Sequence, residues 1–148
     1  MAQATLEVRI KALVPNAVIP TYAKPGDCGM DLTCTSKEWD EEKQKIVFGF
    51  GVAFEIPEGY AGFIFPRSSN NKTGLLLSNA VGIVDAGYRG EVKAFFTPTG
   101  RPVKNYDIGD RVCQMVILPY PKVTFIDVGS EELSSTERGA RGFGSSGV

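Results

Sequence analysis

Apolar residues in this chain recur at every second position in short runs, and glycine or proline interrupts each run before it grows long. In LEVRIKA, residues 6–12, Leu6, Val8, Ile10 and Ala12 fall on one side and Glu7, Arg9 and Lys11 on the other. A period of two describes a half-buried strand. The same pattern predicts strands near 46–56, 60–65, 80–84, 91–96, 112–118 and 122–128, with IPEGY, TPTGRP and DIGD as turns between them. Because hardly any 3.6-residue period is sustained, the expected class is all-β, a sandwich or barrel. The exception is SSNNKTG, where Ser68 or Ser69 can cap a helical turn that Gly74 closes. SKEWDEEKQK, Ser36 to Lys45, reads as a solvated loop or hairpin tip. With 148 residues the chain is expected to form one domain, residues 1–148, whose last residues 137–148 are a glycine-rich arm.

Composition then limits the chemistry. The chain has no histidine, which removes Ser-His-Asp and Cys-His nucleophile pairs and HExxH zinc sites. Proton transfer falls to Asp, Glu, Lys, Tyr or water. Sixteen Lys and Arg against 17 Asp and Glu give a formal net charge of -1. That balance provides no broad footprint for direct DNA binding, so the expected ligand is a small anion held locally. Cys28, Cys34 and Cys113 are odd in number and lack a CxxC pair, which fits reduced thiols. The N-terminus has no apolar h-region and no run approaches a bilayer span, so the expected location is cytoplasmic, with no membrane partner.

Several clusters carry possible chemistry. Asp31 follows two glycines in GDCGMDL and on local grounds is a turn carboxylate. In FPRSSNNKTG, Arg67 precedes Ser68 and Ser69, a combination that suits either a phosphate seat or an ordinary N-cap with an exposed arginine. SNAVGIVDAGYRGEV reads as a hairpin whose tip presents Asp85 and Tyr88 together. GDRVCQMVILP adds Gln114 beside a buried strand, and the tail RGARGFGSSGV adds Arg138, Phe143 and two serines. Aromatic rings stack on bases, and phosphates require arginine and backbone donors, so this is the inventory of a nucleotide site.

Taken in order, GDCGMDL, PRSS, SNAVGIVDAGYRGEV, GDRVCQMVILP and RGARGFGSSG resemble the five motifs of the trimeric dUTPase family, from about residue 23 to the C-terminus. The resemblance implies a jelly-roll-like β-barrel and a homotrimer with shared active sites. It also implies hydrolysis of dUTP to dUMP and pyrophosphate by metal-assisted water attack on the α-phosphate. Residue by residue, it assigns Asp85 to the 3'-hydroxyl and the attacking water, and Tyr88 to the sugar face. Asn79 with Gly82, Ile83 and Val84 would read uracil, and Phe143 would lie over the ring. Arg67, Ser68, Ser69, Gln114, Arg138, Gly144, Ser145 and Ser146 would hold the phosphate chain. Asp31 would hold water of a Mg2+ shell, the metal resting mainly on phosphate oxygens.

Two positions depart from the family pattern. Arg141 stands where a glycine is usual, and SSNNKTG replaces the commoner SGLA, which implies a more polar lid over the phosphates. Two alternatives accompany the resemblance. A dCTP deaminase shares the fold but places a catalytic glutamate where this chain has Phe95. A dUTPase-like regulatory protein would use the arm to bind a protein partner.

Overall fold

The computed structural model describes residues 4–100, 104–144 and 147. Its strands are β1 (Arg9–Ala12), β2 (Met30–Thr33), β3 (Ser36–Asp40), β4 (Lys45–Gly49), β5 (Val52–Glu55), β6 (Tyr60–Pro66), β7 (Leu75–Leu77), β8 (Gly82–Val84), β9 (Lys93–Pro98) and β10 (Arg111–Pro119). A single 3-10 turn, Ser68–Lys72, interrupts them. One four-stranded sheet runs β2-β10-β6-β8, a second runs β3-β4-β9-β7, and β1 pairs with β5 alone. All of these pairings are antiparallel. The architecture is jelly-roll-like as expected, but the sheets stay open instead of closing into a barrel.

Inward residues of all three sheets share one core, with Leu32, Phe48, Val52, Phe96, Val112 and Met115 fully buried. Its aromatic centre is a trio of edge-to-face contacts: Phe48 to Phe96 at 5.5 Å, Phe48 to Tyr106 at 5.7 Å and Phe96 to Tyr106 at 6.2 Å between ring centroids. Such pairs add about 0.5–1.5 kcal/mol each beyond their area burial. Cys34 and Cys113 are buried free thiols and Cys28 is an exposed one, in keeping with the expectation of reduced cysteines.

Four expectations change. The run 46–56 is two strands in different sheets, broken at Gly51. Gly51 adopts φ 65°, and a Cβ there would meet Val14 Cγ2 at 2.5 Å and Thr35 Oγ1 at 2.9 Å. Only glycine tolerates both the dihedral and the crowding. Ser36–Asp40 is itself a strand, so the charged stretch forms a β3–β4 hairpin with its turn at 41–44. The segment expected as a hairpin around Asp85 is instead a crossing, because β8 pairs with β6 and β9 pairs with β4 and β7. Finally, 122–128 is not a strand, and Phe125 and Ile126 stand 92% and 86% exposed. Its apolar alternation pairs with no strand among the described residues.

Candidate active site

The crossing from β8 to β9 builds a cleft. A cavity of about 500 Å³ is lined by Ile64, Asn79, Gly82, Ile83, Val84, Asp85, Tyr88, Glu91, Val92, Lys93 and Phe95. Six residues expected to meet base, sugar or water therefore surround one space: Asn79, Gly82, Ile83, Val84, Asp85 and Tyr88. Local sterics explain its shape. A Cβ on Gly82 would press on Ile64 Cβ at 3.1 Å, so glycine lets β8 lie against β6. Gly90 has the stricter role, since a Cβ there would fall 2.5 Å from Tyr88 Oη and 2.7 Å from its Cζ. The tyrosine ring thus folds over Gly90, and its hydroxyl donates to the Glu91 carbonyl at 2.9 Å. Asp85 lies just past β8, exposed, and its carbonyl accepts from Tyr88 N–H at 3.1 Å.

Arg67, Ser69 and Gln114 gather elsewhere, on the sheet that contains β10. Gln114 lies between Asp31 of β2 and Phe65 of β6 in register, and its Nε2 donates to the Pro66 carbonyl at 3.1 Å. Arg67 Nε donates to Asp31 Oδ1 at 2.8 Å, and its Nη1 reaches Ser69 Oγ at 3.3 Å and the Arg111 carbonyl at 3.4 Å. Arg111 Nη1 approaches the other Asp31 oxygen at 3.5 Å. Two guanidiniums on one carboxylate leave this cluster with one net positive charge, suited to a polyanion. A groove of about 280 Å³ runs from Arg67 and Arg111 past Ser69 to Lys72, Lys104 and Tyr106. Arg111 and Lys72 went unselected in the sequence although they lie in the quoted segments GDRVCQMVILP and FPRSSNNKTG; Lys104 had no motif signal.

Two details correct the sequence reading of this region. The N-cap position of the 3-10 turn is Arg67, in extended conformation, and no side chain caps it; Ser68 is exposed. The C-cap is Thr73, and Gly74 after it, at φ 71°, closes the turn as expected. The polarity of SSNNKTG is partly turned inward: Asn70 is buried, donates to the Leu75 carbonyl at 2.9 Å and accepts from Tyr106 Oη at 2.9 Å. Burial also pushes the Tyr106 phenol above its ordinary pKa.

The arm stands apart from both clusters. Arg138, Phe143 and Gly144 are exposed, and Phe143 adopts φ 46°. Ser145 and Ser146 lie outside the described residues. Arg141, the departure from the family pattern, folds back within the arm: its Nε donates to the Arg138 carbonyl at 2.9 Å, and Arg138 Nε donates to the Arg141 carbonyl at 3.0 Å.

A family model of dUTPase matches residues 15–147. The chain belongs to the dUTPase family. Among curated relatives, the deoxyuridine 5'-triphosphate nucleotidohydrolase of Thermobifida fusca is 42% identical over 97% of this chain and 80% of its own length. That of Leifsonia xyli is 42% identical over 87% of this chain and 85% of its own length. Among solved structures, the dUTPase of Staphylococcus bacteriophage 80alpha bound to dUpNHpp superposes with a TM-score of 0.81 at 28% identity, covering 97% of this chain and all of that one. The phage phi11 dUTPase, described with a coordinated structural Mg(II) ion, shares the fold at TM-score 0.69 and 24% identity, covering 86% of this chain and all of that one. Membership of this family sets aside the deaminase alternative, in agreement with Phe95 in place of its glutamate.

Among the described residues, no three His, Cys, Asp or Glu side chains gather into a metal cage. Both Asp31 oxygens already face guanidiniums, and each retains accepting capacity for water. Such a donor set fits a Mg2+ ion that keeps its waters and leans on substrate phosphates. Among the described residues, no helix is long and apolar enough to cross a membrane.

Proposed function

We infer that this dUTPase hydrolyses dUTP to dUMP and pyrophosphate at a composite site, with the cleft beside β8 taking the deoxyuridine and the Arg67 cluster taking the phosphates. The observation that carries the reading is the single cavity shared by Asn79, Gly82, Ile83, Val84, Asp85 and Tyr88. Exposed edges of β8 and the Asn79 amide offer donors and acceptors to a uracil edge, and a site built on such bonds rejects bases that mismatch them. The Tyr88 ring, held over Gly90, packs against the sugar and leaves no room for a 2'-hydroxyl. Asp85 accepts from the 3'-hydroxyl and orients and deprotonates the water that attacks the α-phosphorus. Arg67, with Ser68 and Ser69, and Gln114 hold the phosphate chain, and Arg67 offsets charge on the leaving pyrophosphate. Mg2+, when bound with the triphosphate, neutralises phosphate oxygens, and Asp31 accepts from its water shell.

The two clusters share no lining residue on one chain, which supports a homotrimer in which different subunits supply them. The unpaired apolar segment 122–128 and the exposed arm residues 137–144 support the same reading, since neither pairs with a strand among the described residues. The arm closes over the site of another subunit, placing Phe143 on the uracil ring and Arg138, Gly144, Ser145 and Ser146 on the phosphates.

Subunit mixing tests this. Asp85→Asn and Arg67→Gln chains are each expected to release almost no pyrophosphate from dUTP. Refolded or exchanged together, they are expected to recover activity, because mixed trimers contain sites with both halves intact. Failure of the mixture, with trimers verified by light scattering, would place both halves on one chain. Parallel assays with UTP, dCTP and dTTP, with and without EDTA, check specificity and metal dependence.

A further inference from the structure

The turn that presents Asp85 has little backbone support of its own. Having left β8, the chain regains ladder-type bonds only at Val92, whose N–H donates to the Val52 carbonyl at 2.9 Å and whose carbonyl accepts from Phe50 at 3.1 Å. Within residues 85–91 the backbone makes one internal hydrogen bond, Tyr88 N–H to the Asp85 carbonyl. Carbonyls that a partner strand would satisfy are met by the side chain of Arg89. Its Nη1 donates to the Ala86 carbonyl at 2.6 Å and reaches the Tyr88 carbonyl at 3.3 Å and the Phe54 carbonyl of β5 at 3.4 Å. Its Nη2 lies 3.6 Å from Glu55, whose carboxylate is held from the other side by Arg9 of β1 at 2.8 Å.

We propose that Arg89 is a positioning residue for catalysis: it ties the Asp85–Tyr88 turn to β5 and fixes the carboxylate and the tyrosine ring relative to each other. The inference rests on the role of Asp85 given above. Arg89 does not line the cleft beside β8. It replaces the missing strand, joining the carbonyl on each side of Gly87 to a rigid neighbour, so the turn cannot pivot about its flanking glycines. The fork geometry matters, because one nitrogen serves the carbonyls while the other faces Glu55. A lysine carries its three donors on one nitrogen, which cannot stand at both positions of the fork at once. The Arg89 side chain is 54% exposed, so removing it leaves no buried charge behind and the variants are expected to fold.

Arg89→Gln, Arg89→Lys and Glu55→Gln would be assayed for kcat, KM and thermal midpoint with dUTP and with UTP, beside Asp85→Asn. Small misplacement of a reacting group costs up to about a hundredfold in rate, so Arg89→Gln is expected to lower kcat by about ten- to a hundredfold with KM little changed. The preference for dUTP over UTP narrows as the Tyr88 ring loosens. Arg89→Lys recovers part of kcat, and Glu55→Gln shows a smaller loss in the same direction. Unchanged kcat and unchanged dUTP preference in Arg89→Gln overturn the proposal, and so does a loss of thermal midpoint alone with normal kcat below it. If Asp85→Asn is inactive while Arg89→Gln is normal, only the Arg89 role fails; if Asp85→Asn turns over normally, the Asp85 assignment itself fails.

Discussion

Asp85 follows a three-residue strand and stands in solvent at the mouth of a cleft, where a carboxylate can reach both a sugar hydroxyl and a water. Replacing it with asparagine keeps the shape and removes the proposed base. Asp85→Asn is therefore expected to lose nearly all turnover while dUTP binding, read by calorimetry, stays close to that of the unsubstituted chain; normal turnover would exclude Asp85 as the base. Its neighbours were legible in the sequence because glycine and aromatic residues in SNAVGIVDAGYRGEV mark a backbone bent around something. What each glycine accommodates was not legible. Gly90 makes room for the ring of Tyr88 two residues before it, and Gly82 for Ile64, which only the folded chain brings beside it. Arg111 and Arg89 are similar: each lay within a quoted motif, but their acceptors, Asp31 and the Phe54 and Ala86 carbonyls, sit on other strands or across a turn.

Among elements, β10 is the organiser. It pairs with β2 and β6 together, and this places Gln114 between Asp31 and the strand that leads to Arg67. A register shift between Arg111 and Cys113 accompanies the full burial of both Val112 and Cys113. Burial, reinforced by the neighbouring Cys34, pushes the Cys113 thiol up from 9.0 to about 12. Cys34 is raised by burial as well, although a backbone hydrogen bond with Ser36 and nearby Lys37 oppose the shift. Unfolded thiols ionise near pH 9 while folded Cys113 stays protonated, so the unfolded chain binds fewer protons there and stability falls as pH rises from about 9 to about 12. Only Cys28 is expected to react with a thiol reagent near pH 8, with Cys34 and Cys113 titrating after denaturation; a second fast thiol in the native protein would contradict the burial. Strands stand close to where the pattern predicts them near 60–65, 91–96 and 112–118, at Tyr60–Pro66, Lys93–Pro98 and Arg111–Pro119. The single run at 46–56 concealed a sheet change at Gly51, because alternation continues across a bend whose cause, Val14 and Thr35, is distant in sequence.

For the whole molecule, the large exposed apolar residues concentrate where the chain has no partner. Phe125, Ile126 and Leu133 follow β10, and Phe143 lies in the arm. A ring so exposed contributes nothing to the folding of one chain. Phe143→Ala is expected to weaken dUTP-analogue binding by about 1–3 kcal/mol, the usual worth of a base stacked on an aromatic, without changing the thermal midpoint of the ligand-free protein. Calorimetry and a thermal scan check this, and unchanged affinity would remove the ring from the site.

Period-two patterning, the turn residues and the order of five motifs carried the all-β class, the family and the identity of the residues to examine, because strand alternation and turn chemistry are local properties. The absence of histidine belongs to the same level, since it depends on composition alone. The tertiary structure alone decided that β8 and β9 belong to different sheets, that Asp31 is shared by two arginines, and that the cleft and the phosphate cluster are separate surfaces of one chain. Each of these is a relation between segments distant in sequence, set by which sheet edges pair and which side chains are driven together as the common core forms.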